Sequence, residues 1–102
     1  MSGSAELRDG RVVRFKPLAG YNYEDDEYGF SKRFRGETIN QLIETFNNEL
    51  GSPGWVRTKG FFLGALFAEF RIRKIDCSSF IHDGEMDLSR NIRLEGDKIT
   101  QV

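Results

Sequence analysis

The residues with the widest chemical range in this chain are its one histidine, His82, and the carboxylates beside it, Asp83, Glu85 and Asp87. An imidazole among carboxylates is a donor set for a divalent cation. The run H-D-G-E-M-D lacks the ordered oxygen spacing of a hard-ion loop, however, and reads as an ordinary turn. The one cysteine, Cys77, has no base near it in sequence except His82. On an extended strand those two side chains point to opposite faces, which argues against a nucleophilic Cys–His pair. Gly60 and Gly64 fall in an apolar run without the Lys-Ser/Thr that a phosphate loop needs. No catalytic residue, metal site or cofactor is expected.

Three sets of residues could instead bind something. Tyr21 and Tyr23 are followed by Glu24, Asp25, Asp26 and Glu27. Successive carboxylates in one extended loop cannot all aim at one ion, so this aromatic-acidic segment is better suited to a protein surface. Phe67, on the helix described below, is assigned to the same partner-binding set. The second set is basic: Arg11, Arg14 and Lys16, joined by Arg33 and Arg35 if their strands pair. A basic sheet face interleaved with aromatics is a common cradle for single-stranded nucleic acid. Here the alternation sends the Phe side chains to the other face, so the stacking platform is lost and nucleic acid is the alternative partner. Arg57 and Lys59 invite a helix-turn-helix reading, but the helix turns apolar at Phe61, where a recognition helix needs an exposed polar face. The third set, Trp55, Phe62 and Phe67, would line a small-ligand pocket between helices and sheet. Core packing explains those rings equally well.

These side chains are positioned by the stretch Thr58–Lys74, which is apolar or small from Phe61 to Ala68. It is shorter than the roughly 20 apolar residues a membrane span takes. An all-round apolar helix belongs in a core. Gly60, Gly64 and Ala68 form a thin ridge, and Phe62, Leu63, Leu66, Phe67 and Phe70 the bulky side. The helix is expected from about Pro53 to Arg73, or from near Thr58 after a looser turn. Ahead of it, Ile39, Leu42, Ile43, Phe46 and Leu50 repeat at helical spacing within Glu37–Leu50. Gly51 and Ser52-Pro53 end that helix and start the next. The two should pair as an antiparallel hairpin, with the Leu/Ile stripe on the thin ridge.

Strands flank the helices. Arg11–Lys16 alternates, with Val13 and Phe15 inward, and Pro17 closes it. Tyr28–Arg35 alternates again and reads as a second strand. Ile75–Ile81, Leu88–Leu94 and Lys98–Val102 follow, separated by turns at His82-Asp83-Gly84 and Glu95–Lys98. The order β-β-α-α-β-β-β is segregated, so the fold class is α+β, an antiparallel β-sheet packed on a helical hairpin. Residues 1–10 read as a flexible lead-in and 11–102 as a single α+β domain.

Composition fits one soluble domain of 102 residues. With 15 basic and 16 acidic residues, the net charge of −1 gives no global attraction to nucleic acid or an anionic membrane. One thiol excludes an internal disulfide and suits the reducing cytoplasm, and no apolar leader precedes Arg11. The second helix carries more apolar surface than a small sheet and one helix can cover. The expectation is a cytoplasmic, non-enzymatic interaction module that forms a homodimer or binds another protein, without membrane association.

Overall fold

The computed structural model describes residues 3–18, 20–23, 27–50 and 57–102. Strands β1 (Gly3–Arg8) and β2 (Arg11–Pro17) form an antiparallel hairpin. Asp9 and Gly10 both adopt positive φ, at 54° and 79°, the combination a two-residue hairpin turn demands. Gly3–Arg8, within the stretch expected as a flexible lead-in, is thus the edge strand of a sheet. Its order is β1-β2-β4-β3, with β3 at Ile81–His82 and β4 at Glu85–Asp87. A separate two-stranded sheet joins β5 (Ile92–Glu95) to β6 (Lys98–Gln101). The expected strand over Ile75–Ile81 shrinks to a parallel bridge between Asp76 and Lys98, a turn, and β3.

One irregularity decides which side of β2 is buried. Glu6 faces Arg14 but Leu7 faces Val12, so Val13 is an extra residue in the ladder. Such a bulge resets the alternation. Val12 and Phe15 both enter the core, at 3% and 0% exposure, while Val13 is only half-buried. The inward pair is therefore Val12 and Phe15, not Val13 and Phe15.

The segment read as a second strand is a helix, α1 (Phe30–Arg35). Phe30 and Phe34 fit period two as well as a helical i, i+4 pair, and so short a run cannot separate the two. As a helix, α1 stacks Phe30 on Phe34 at 6.4 Å, and both rings meet Phe62 edge-on at 5.2 and 5.3 Å. Helix α2 (Ile39–Glu49) lies within the expected Glu37–Leu50 and starts two residues later, at the first residue of the apolar pattern. Thr38 caps it: the Gln41 amide donates to the Thr38 hydroxyl, and the Thr38 amide donates to the Gln41 side chain.

Helix α3 (Arg57–Ile72) is central, and 51–56, the link before it, lies outside the described residues. Leu63, Leu66 and Phe70 are fully buried on its core side. Phe46 of α2, Phe70 and Phe80 meet edge-on, with centroids 5.3–6.3 Å apart. Truncating any of these rings to Ala would cost about 3–5 kcal/mol. The thin ridge does not receive α2. A Cβ at Gly64 would fall inside the Tyr23 ring, so the ridge is covered by the loop after β2. The closest helical neighbour of α3 is α1, while α2 is tied to it by the Phe46–Phe70 contact and by Lys59 Nζ, 3.4 Å from Glu49. The class is α+β, with strands, helices and strands following one another as the sequence pattern implied.

Candidate functional site

The chain leaves β2 at Pro17 and returns over α3 through Tyr23. The Leu18 amide donates to the Tyr23 hydroxyl at 2.8 Å, closing this loop on itself. The Tyr23 ring lies on Gly64, where only glycine leaves room. Burial raises the Tyr23 phenol above its ordinary value, opposed by the Leu18 bond, with Tyr21 adding a smaller upward push. Tyr21 packs beside Tyr23 at 4.8 Å and reaches Phe61 at 5.7 Å. The Tyr21 amide also donates to the Leu18 carbonyl at 3.2 Å, so the loop is held by hydrogen bonds and by three rings.

Between this loop and α3 runs a groove of about 450 Å³. Leu18, Tyr21 and Tyr23 form one wall; Phe67, Arg71 and Ile72 form the other. Leu18 is 45% exposed, Tyr21 38% and Ile72 50%. The Arg71 guanidinium lies 5.9 Å from the Phe67 ring centre, a cation held against the apolar wall. Tyr21, Tyr23 and Phe67, distant in sequence, therefore share one groove. Glu27 is exposed and does not line it, while Glu24, Asp25 and Asp26 lie outside the described residues.

The other sets fare differently. Arg11, Arg14 and Lys16 are exposed on β2, but Arg33 and Arg35 sit on helix α1, so the expected common sheet face does not exist. Arg14 lies 3.2 Å from Glu6 and 3.8 Å from Glu85. Arg33 is 3.5 Å from Glu37, and its guanidinium lies 5.4 Å from the Phe34 ring centre. Of the pocket residues, Trp55 lies outside the described residues. Phe62 belongs to the α1–α3 contact, whereas Phe67 faces the groove.

Two of the carboxylates near His82 are engaged elsewhere. Glu85 faces Arg14, and Asp87 accepts from the Ser89 amide and hydroxyl and from Gln101. The Cys77 thiol is pushed up to about 11 by burial first and Asp76 second, with Arg71 opposing. A thiol so rarely ionised is a poor nucleophile.

Sequence reasoning missed Glu69. It is 1% exposed, with Arg35 Nε 3.1 Å from Oε1 and Arg73 Nε 2.8 Å from Oε2. Arg73 Nη2 also donates to the carbonyls of Phe34 and Glu37, at 3.0 and 2.8 Å. The network pins the end of α1 to α3. The signal was present: a lone carboxylate inside a Phe-rich run, with Arg73 one helical turn on, asks for a buried pair.

Compared with known protein families, curated proteins and solved structures, the chain matches none. Among the described residues, no helix is long and apolar enough to cross a membrane.

Proposed function

We propose that this protein is a small non-enzymatic interaction module of the cytoplasm, and that its groove beside α3 docks a second copy of the chain. The observation that carries this reading is the convergence of Leu18, Tyr21 and Ile72, all substantially exposed, on one groove. Single exposed apolar residues need no explanation, but a contiguous apolar patch on a rigid support usually marks an interface. The loop wall is rigid because Tyr23 is seated on Gly64 and bonded to Leu18.

A second copy is the occupant of choice for two reasons. A patch with apolar centre and polar rim can meet itself across a two-fold axis, the commonest closed symmetry. Among the described residues, the only ion lining the groove is the cation Arg71, and the acidic run that follows Tyr23 in sequence offers opposite charge within the same chain. The lone, buried thiol is compatible with a reducing compartment.

Light scattering on the eluting protein, across a concentration series, tests this reading. The mass should approach twice the 11.7 kDa of one chain. Ile72→Glu should return it to one chain without loss of folding, since Ile72 is half exposed. Lys32→Glu, on exposed α1 surface, should leave the dimer intact. A single-chain mass at every concentration would refute self-association.

A further inference from the structure

At the opposite end of β2 lies a second concavity. The turn at Asp9-Gly10 sets Arg8 and Arg11 directly opposite each other across the hairpin. Facing like charges on neighbouring strands repel. Among the described residues, neither side chain has a hydrogen bond or ion pair. Both line a cleft of about 370 Å³, whose floor is Val12 and Leu88, each 3% exposed. Asn47 and Asn91 complete the polar rim.

The negative charge around this pair does not balance it. Among the described residues, no carboxylate lines the cleft. Asp9, in the turn itself, is exposed and has no ion pair among the described residues. Asp87, near the floor, already accepts from Ser89 and Gln101. The C-terminal carbonyls of α2 contribute about half an elementary charge, well short of two guanidiniums. A fold that sets two arginines opposite each other in the ladder beside an apolar floor, with no ion pair to either among the described residues, breaks a local rule where a ligand would mend it.

We infer that this cleft binds a small organic phosphate monoester. The arginine forks would grip the phosphoryl group, and the organic body would lie on Val12 and Leu88. A phosphate monoester carries about −1.5 to −2 at neutral pH, which matches two guanidiniums, and their planar donors fit its oxygens in pairs. A single carboxylate would leave much of the repulsion in place. The cleft volume lies at the small end of the range for small-molecule sites, about 300–1,000 Å³. Asn91 offers a further amide donor at the rim; the Asn47 amide is already committed to Ile92 and only shapes the wall.

The test uses the full chain with adenosine monophosphate, inorganic phosphate, succinate and a single-stranded DNA oligomer as probes. Adenosine monophosphate should raise Tm with dose and move the amide resonances of residues 8–13 and 88–91, with inorganic phosphate weaker and succinate weaker still. Arg8→Gln with Arg11→Gln should weaken adenosine monophosphate by about tenfold or more, the usual cost of losing charge-assisted hydrogen bonds. Arg8→Gln alone should leave the ligand-free Tm unchanged or higher, because it removes a repulsion. The inference fails if none of the phosphate probes binds, if the double variant binds as well as the wild type, or if the oligomer binds while the mononucleotide does not. It also fails if Arg8→Gln lowers the ligand-free Tm while mononucleotide binding stays intact, which would make the arginines structural.

Discussion

The side-chain amide of Asn47 makes its hydrogen bonds with a single residue, Ile92. Nδ2 donates to the Ile92 carbonyl at 2.9 Å, and the Ile92 N–H donates to Oδ1 at 2.8 Å. Ile92 faces Gln101 in the ladder, while the neighbouring Asn91 carbonyl takes the Val102 N–H. The amide of a helix side chain thus stands in for a missing strand, and it is how the small β5–β6 sheet is docked on α2.

Replacing that amide should loosen the sheet. Asn47→Leu leaves a donor and an acceptor of buried Ile92 unpaired, and is expected to cost about 2–4 kcal/mol. Asn47→Asp keeps the acceptor but sets a carboxylate against the Ile92 carbonyl, and should also destabilise. Urea unfolding measures both. If Asn47→Leu unfolds at the wild-type midpoint, the amide is not what docks the sheet.

Gly64 and Tyr23 should be strongly non-additive. Gly64→Ala gains about 1 kcal/mol of helix propensity but drives a methyl into the Tyr23 ring, an overpacking cost of about 1–3 kcal/mol. The single variant is therefore expected to be less stable than wild type. In a Tyr23→Ala background the obstacle is gone, and the same change should stabilise. A thermal-melt double-mutant cycle reads the coupling; additive effects would mean that the ring is not the obstacle.

The two arginines on Glu69 are unequal. Arg73 is the more buried, 24% exposed against 52% for Arg35, and it also serves two backbone carbonyls. Arg73→Met should cost about 3 kcal/mol, because it leaves a buried carboxylate half-paired and two carbonyls without that donor. Arg35→Met should cost about 1 kcal/mol or less, as a solvent-screened partner. Denaturant midpoints of the two variants decide the order, and equal losses would count against it.

Acid should unfold the protein partly through Asp87. Burial raises its carboxyl, but hydrogen bonds from the Ser89 hydroxyl and amide and from Gln101, together with the charge of Arg14, outweigh it and hold it below the usual aspartate range. The unfolded chain then binds the proton more readily than the folded one. The stabilisation is full above the ordinary value of about 3.9 and is lost as pH falls through the folded value. Asp87→Asn should flatten the fall of Tm below about pH 4 relative to wild type. A variant whose Tm falls as steeply as the wild type's would show that Asp87 carries none of it.

Much of this was legible in the chain itself. The segregation of strand and helix patterns gave α+β. The spacing of Leu42, Ile43 and Phe46 set the buried side of α2, and the unbroken apolar run made α3 the centre. Asp9-Gly10 was an equally plain hairpin signal that a polar, small-residue context obscured. Such features depend on neighbours in sequence, where period and turn chemistry act. Other features depended on partners that no local pattern specifies. Phe30 and Phe34 fit a strand or a helix until Phe62 selected the helix. Val12 displaced Val13 from the core because β1 pairs with a one-residue shift. The small ridge of α3 invited any close neighbour, and the loop ring of Tyr23 filled it before a second helix could. Local sequence sets what each surface needs, but only the assembled chain determines which of several adequate partners lies within reach.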